Sequence, residues 1–142
     1  MSKGNTFEND LLKLIFNGTA IANIADNAAI SPLTNLYLSL HTADPGEAGD
    51  QTTSECAYTS YARVAVARTS GGWIVTGSSV SPASVIVFPT CTGGTETATY
   101  AAIGTAASGT GKILYSGAIT TSISISNGIA PDLPTSSAIL ED

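Results

Sequence analysis

The sequence predicts an all-β fold, a jelly-roll-like β-sandwich of about seven or eight short strands preceded by a short N-terminal amphipathic helix. The composition is rich in hydroxyl and turn residues, with 19 Thr, 17 Ser, 14 Gly and 6 Pro, which is typical of short strands and turns. Apolar and polar residues alternate with a period of two over much of the chain. A length of 142 residues is sufficient for one ordinary domain with its own core.

The N-terminal segment predicts a helix that begins at Asn5 and ends at Asn17-Gly18. Asn5 can cap the first turn, and Glu8 lies three residues later, as in a capping box. Gly18 can take the left-handed conformation that ends many helices. Apolar side chains fall on one helical face at Phe7, Leu11, Leu14 and Ile15.

A helix of about three turns needs a docking surface to persist. That surface can belong to the same domain or to a neighbouring subunit, and the sequence leaves both possibilities open. The sequence predicts two regions. Residues 1–32 form a helix and connector arm, and residues 33–142 form a β-sandwich domain with a C-terminal tail. The apolar helix face is a candidate interface with another subunit: Phe7, Leu11, Leu14 and Ile15.

Alternation and the bounding turn residues predict the following strands: Leu36–His41, Tyr61–Thr69, Trp73–Thr76, Val85–Phe88, Thr97–Thr105, Lys112–Ile119, Thr121–Asn127 and Ile139–Leu140. The first strand is expected to be half-buried, with its three leucines facing the core. Gly71-Gly72 predicts a hairpin between the second and third strands. Residues 108–111 predict the turn between the fifth and sixth strands. Asp44-Pro45-Gly46 predicts a turn in the loop that follows the first strand.

The charge balance disfavours a nucleic-acid partner, and the short apolar runs disfavour a membrane partner. Five basic residues against eleven acidic ones give a net charge of −6 and a pI near 4.4, whereas nucleic-acid binding needs clustered Lys and Arg. No apolar run is long enough to cross a bilayer. We therefore expect no nucleic-acid partner and no membrane partner.

Residues that could carry chemistry are few. His41 is the single histidine, and Ser39, two residues before it, shares its face of the strand. The alternative to a catalytic pair is a histidine at a strand end, bonded to backbone or solvent. Asp44, Glu47 and Asp50 lie in the following loop, but their spacing does not match a calcium-binding loop. We therefore expect no catalytic residues, no metal site, no cofactor and no enzymatic activity.

Cys56 and Cys91 lack the spacing of zinc or redox motifs. We expect two free thiols, with a disulfide bridge as the alternative. Arg63 and Arg68 are the only arginines. In so weakly charged a chain each is a candidate interface residue that pairs with a carboxylate of a partner, and the alternative is a surface arginine that maintains solubility. Trp73 is expected to fill the core rather than form a sugar-stacking platform.

Residues 36–68, LYLSLHTADPGEAGDQTTSECAYTSYARVAVAR, resemble a pattern found in small structural proteins of tailed phages. That pattern is a leucine-rich strand ending in His-Thr, an Asp-Pro-Gly turn, an acidic loop, and a strand with spaced tyrosines and an arginine, followed by a Gly-Trp pair, here Gly72-Trp73. The matching positions are Leu36, Leu38, Leu40, His41, Thr42, Asp44, Pro45, Gly46, Glu55, Tyr58, Tyr61, Arg63 and Val64.

Among such proteins the chain resembles the capsid cement (decoration) protein of short-tailed phages such as those infecting Bordetella. The resemblance implies a β-sandwich made in the host cytoplasm and bound to the outer surface of the icosahedral head. It further implies homodimers that bridge subunits of the major capsid protein and stabilise the shell. The alternative is a tail-fibre or receptor-facing binding module. A third and less favoured hypothesis is a small glycan-cleaving enzyme.

Overall fold

The computed structural model describes residue 3, residues 5–21 and residues 32–141. One helix, α1 (Asn5–Asn17), precedes nine strands in these ranges. The strands are β1 (Asn35–His41), β2 (Val64–Ala67), β3 (Trp73–Thr76), β4 (Ser79–Pro82), β5 (Ile86–Val87), β6 (Glu96–Gly104), β7 (Ile113–Ile125), β8 (Asp132–Leu133) and β9 (Ile139–Leu140). The prediction of an all-β fold of the sandwich class, with short antiparallel strands after one N-terminal helix, is confirmed.

Helix α1 begins and ends where the sequence predicts. Gly18 follows its last residue with φ +66°, the left-handed conformation expected of a C-terminal glycine. The fully buried face, however, is formed by Leu12 and Phe16 together with Glu8. Phe7, on the predicted face, is 41% exposed, and the other three predicted residues are half-buried. A contact of that second face with another subunit stays a prediction.

The chain forms two compact units. The first comprises Met1–Asn35, Val66–Val85 and Pro134–Asp142, and the second comprises Leu36–Ala65 and Ile86–Leu133. The predicted boundary at residue 32 is a different division of the chain, and it stays a prediction. Residues 22–31, which belong to the predicted connector, lie outside the described residues.

In the first unit, α1 packs on the three-stranded antiparallel sheet β3-β4-β9. Phe16 meets Trp73 edge to face, with ring centroids 4.9 Å apart, and Trp73 is 1% exposed. The side chain of Asn17 donates a hydrogen bond to the backbone oxygen of Trp73 at 3.1 Å. The prediction that Trp73 fills the core is confirmed, and its partner is the helix.

The predicted hairpin across Gly71-Gly72 is wrong. β3 pairs with β4, with Trp73 opposite Pro82 and Thr76 opposite Ser79. The turn between them contains Gly77 at φ +60°, which suits a two-residue hairpin loop. β4 was not predicted because Ser and Pro occupy three of its four positions, which weakens the alternating pattern.

In the second unit, β1, β6 and β7 form antiparallel pairs within a sheet of order β2-β1-β6-β7. β5 pairs with β8 in a separate two-stranded sheet. The two strands predicted at 112–119 and 121–127 are one strand, β7, with an irregularity opposite residues 98–100 of β6. β1 is also more buried than predicted, because Ser39 and His41 on its second face are 0% exposed.

Candidate functional site

The segment that follows β1 is an acidic loop, residues 42–55, whose two ends are fastened to the sheet. Thr42 N–H donates to the Ser54 oxygen at 2.8 Å, and Cys56 N–H donates to the Leu40 oxygen at 2.8 Å. The hydroxyl of Thr99 on β6 donates to the Thr42 oxygen at 2.9 Å. Neighbouring backbone and β6 therefore fix both the start and the end of the loop.

The buried side chain of His41 bonds to the backbone of the acidic loop. Its Nδ1 lies 2.8 Å from the Thr53 carbonyl oxygen, and its Nε2 lies 2.8 Å from Ser39 Oγ. A carbonyl can only accept, so Nδ1 carries the proton, and in the neutral ring Nε2 accepts the Ser39 hydroxyl proton. The interpretation of His41 as a strand-end residue bonded to backbone is confirmed. Since both side chains are 0% exposed, the pair is not positioned to meet a substrate.

Gln51 anchors the middle of the acidic loop to the turn between β6 and β7. It is 0% exposed; its N–H donates to the Gly111 oxygen at 2.9 Å, and its side-chain oxygen accepts from the N–H of Ala106 at 3.0 Å. A Cβ at Gly104 or at Gly111 would collide with the Gln51 side chain. These two positions therefore need glycine because the glutamine fills the space beside them.

A buried ion pair holds the last residue of the loop. Arg63 Nε and Nη2 donate to the two oxygens of Glu55 at 2.7 and 2.8 Å, while Nη1 and Nη2 donate to the Ala106 and Gly109 oxygens at 2.9 and 2.7 Å. The Tyr61 hydroxyl donates to Glu55 at 2.9 Å. The hydrogen bonds to Glu55 raise the pKa of Arg63, and burial raises the pKa of Tyr61.

Both arginines that were predicted to lie at an interface make hydrogen bonds to other residues of this chain. The Arg63 side chain is 2% exposed and paired with Glu55. Arg68 Nε and Nη2 donate to the Ile15 and Leu14 oxygens, each at 2.6 Å, at the C-terminal turn of α1. A partner carboxylate for either arginine stays a prediction, although Arg63 already pairs with Glu55 and Arg68 donates to backbone oxygens.

Glu96 and Gln51 are the residues of this region that were not recognised from the sequence. The Glu96 carboxylate at the start of β6 accepts the N–H groups of Ala57 and Tyr58 at 2.9 Å each. The Tyr58 hydroxyl donates to the Pro89 oxygen at 2.8 Å. Tyr58 belongs to the phage-like pattern, but Glu96 and Gln51 carry no local signal, because their partners are distant in sequence.

The outer side of the acidic loop borders a half-open groove with a volume of about 380 Å³. One wall is the loop itself, and the rest is formed by β6 and the start of β7. The lining residues are Asp44, Gly46, Glu47, Gly49, Tyr100, Ile113, Leu114, Tyr115 and Ser116. The groove thus lies between the exposed carboxylates of the loop and residues of β6 and β7.

The described residues offer few other groups that could react or bind a metal ion. Cys56 and Cys91 are free and buried, as expected, and burial raises the pKa of Cys56 to about 12. Within the described ranges, no group of three or more His, Cys, Asp or Glu side chains is placed to hold a metal ion. None of the helices in those ranges is long and apolar enough to span a membrane.

Comparison with known proteins identifies the family. A family model described as "Podophage GP4 fiber I protein gp80" matches residues 2–141, which is nearly the whole chain. No curated protein matches this chain. The match extends the resemblance of residues 36–68 to both compact units and supports a phage structural protein without supporting a cement protein. The chain therefore belongs to the podophage GP4 fiber I protein gp80 family and is a structural protein of a phage virion.

Proposed function

We propose that this protein is a non-catalytic binding module of a podophage tail fibre. The observation that carries the proposal is the family match over residues 2–141 to a podophage fibre protein. It favours the fibre module over the capsid cement protein that the sequence resemblance suggested. Attachment to the outside of the head, dimers and contacts with the major capsid protein stay predictions.

Residues of the phage-like pattern make hydrogen bonds within the chain, and this supports a structural function. His41 bonds to the Thr53 carbonyl, and Glu55 accepts hydrogen bonds from Tyr61 and Arg63. These contacts hold the acidic loop in place. The residues that could have formed a catalytic group thus support the acidic loop. The acidic loop that these residues hold lies at the surface beside the groove.

The outer edge of β7 supports assembly with other chains. β7 is the last strand of its sheet, has thirteen residues without a charge or a proline, and is largely exposed between Ser116 and Ser124. Monomeric proteins usually protect such edges with charges, prolines or bulges. Among the described residues, the irregularity in the pairing of β7 with β6 is the protection of this kind. A strand of a second copy or of another virion protein could pair along this edge.

Labelling of virions tests the proposal. Fab fragments raised against the purified chain should decorate the tail region in electron micrographs of intact particles. Virions assembled without the protein are the control and should carry no label. Label spread over the head would overturn the fibre proposal in favour of a cement protein.

A further inference from the structure

The chain contains two Asn-Gly pairs, Asn17-Gly18 and Asn127-Gly128. In such a pair the glycine nitrogen can attack Cγ of the asparagine side chain, because glycine has no Cβ to hinder a close approach. A bond forms between that nitrogen and Cγ, and the bond between Cγ and Nδ2 breaks. The proton of the glycine nitrogen leaves with the amide group as ammonia, and a cyclic imide remains. Water then opens the imide to aspartate or isoaspartate.

The structure protects Asn17 from this reaction. Asn17 is the last residue of α1 and is half-buried, and its Nδ2 donates to the Trp73 oxygen at 3.1 Å. Arg68 donates to two backbone oxygens in the last turn of the same helix, each at 2.6 Å. The nitrogen of Gly18 can reach Cγ of Asn17 only after the helix end and the asparagine side chain leave these positions.

Asn127 lies in an exposed turn between β7 and β8. The Ile129 N–H donates to the Ser126 oxygen at 3.0 Å, and Gly128 has φ +90°, as in a type II turn with glycine at the third position. The turn residues 126–129 are all exposed. The attacking nitrogen is that of Gly128, whose N–H donates to the Cys91 oxygen at 2.8 Å. Opening of these two backbone hydrogen bonds allows Asn127 to react.

The two asparagines differ in the free energy of local opening that the reaction requires. Exposed segments with few buried contacts open at low free energy, whereas elements packed in a core open close to the free energy of global unfolding. α1 packs through the fully buried side chains of Leu12 and Phe16, and the turn at 126–129 buries no side chain. In the folded protein Asn127 should therefore react before Asn17.

Isoaspartate at position 127 would disturb the contact of the turn with Cys91. The Cys91 N–H donates to the Ile129 oxygen, and the Cys91 oxygen accepts from Gly128, each at 2.8 Å. In isoaspartate the main chain runs through the side-chain carbonyl, which lengthens the backbone by one carbon and changes the spacing of these groups. Cys91 is 0% exposed, so loss of the two hydrogen bonds should expose its thiol.

We propose that Asn127 is the site at which the folded protein deamidates spontaneously, and that the isoaspartate formed there loosens the turn over Cys91. Asn17 precedes a glycine in the same way and is protected by its place in α1. Tertiary structure thus distinguishes two pairs that are identical in local sequence.

The test incubates the full chain in mildly alkaline buffer with a reductant, both folded and in denaturant, and follows the two sites by peptide mass spectrometry. In the folded protein we expect Asn127 to convert about tenfold or more faster than Asn17, because opening of the helix end also breaks the charged hydrogen bonds of Arg68. In denaturant the two sites should convert at similar rates. After the reductant is removed, aged folded protein should also react faster with a thiol reagent at Cys91.

Asn127→Gln is the matched control, because a glutamine must close a larger ring that forms more slowly. Its Cys91 labelling should stay unchanged on ageing. Equal or faster conversion of Asn17 in the folded protein would overturn the assignment, as would conversion of Asn127 in denaturant alone. An aged wild-type chain whose Cys91 labelling does not rise, or rises equally in Asn127→Gln, would reject the loosening of the turn.

Discussion

At the scale of single residues, Arg63 pairs with Glu55 through a guanidinium that is largely withdrawn from solvent. Both oxygens of the carboxylate bond to one guanidinium, and the Arg63 side chain is 2% exposed. Such a pair is not strong support for stability in itself, because desolvation offsets its attraction. Removing one partner is costly, however, because the other charge is left buried and unpaired.

We expect Glu55→Gln to lower the free energy of unfolding by about 3 kcal/mol, since it leaves the Arg63 guanidinium without its counter-charge. Urea unfolding followed by tryptophan fluorescence or circular dichroism measures the change. Glu47→Gln, an exposed carboxylate of the same loop, is the matched control and should change stability by less than about 0.5 kcal/mol. Equal effects of the two substitutions would contradict the importance of the pair.

The glycines beside Gln51 allow a second comparison at this scale. A Cβ at Gly104 would meet the Gln51 side chain, whereas a Cβ at Gly117 on β7 meets nothing. We expect Gly104→Ala to destabilise the protein by about 1–3 kcal/mol through overpacking. Gly117→Ala should leave the melting temperature unchanged or raise it slightly. Thermal melting of the two variants measures the difference. If both variants melt alike, Gln51 does not fill the space beside Gly104 in solution.

At the scale of elements, the C-terminal end of α1 depends on a residue more than fifty positions away. The last carbonyls of a helix lack intrahelical partners, and a cation near them also interacts favourably with the helix dipole. Arg68 supplies both, with hydrogen bonds of 2.6 Å to the Leu14 and Ile15 oxygens. It also donates to the Leu33 oxygen at 3.2 Å, so one side chain joins α1 to the segment before β1.

Arg68→Met should therefore destabilise α1 more than the rest of the chain. Since the replacement keeps an apolar stem but removes charged hydrogen bonds worth about 1.5–3 kcal/mol each, we expect faster hydrogen exchange of the helix amides. Lys112→Met, which removes one positive charge at an exposed position, is the control. Unchanged exchange in α1 of Arg68→Met would contradict the capping function.

At the scale of the whole molecule, buried titratable groups set the pH range of stability. Burial raises the pKa of Cys56 from 9.0 to about 12 and the pKa of Tyr58 from 10.0 to about 12. When a folded-state pKa lies above the unfolded one, the unfolded chain releases its proton first as pH rises. The stabilisation is therefore complete below about pH 9 and is lost as pH increases towards 12.

We expect the free energy of unfolding to be constant through neutral pH and to fall between pH 9 and pH 12. Denaturant unfolding across that range measures the loss. Cys56→Ala removes the thiol titration and should make the fall shallower, with Tyr58 and Tyr61 accounting for the remainder. An identical alkaline slope in the variant would show that the Cys56 thiol does not contribute.

The sequence by itself determined the local features of this protein. The helix Asn5–Asn17, the glycine that ends it, strand β1 and the β6–β7 hairpin all follow from short-range patterns of capping, alternation and turn residues. The phage-like pattern of residues 36–68 also led to the correct broad class, a virion structural protein. These features depend on neighbours in the chain, so a single sequence contains them.

Only the tertiary structure decided which strands pair and what the pattern residues do. β3 pairs with β4 rather than with β2, Arg68 caps a helix that the sequence separates from it, and Gln51 makes Gly104 and Gly111 necessary. The groove likewise joins the acidic loop to Tyr100 and Tyr115. Each depends on contacts between residues distant along the chain, whose partners are fixed by packing and not by local propensity.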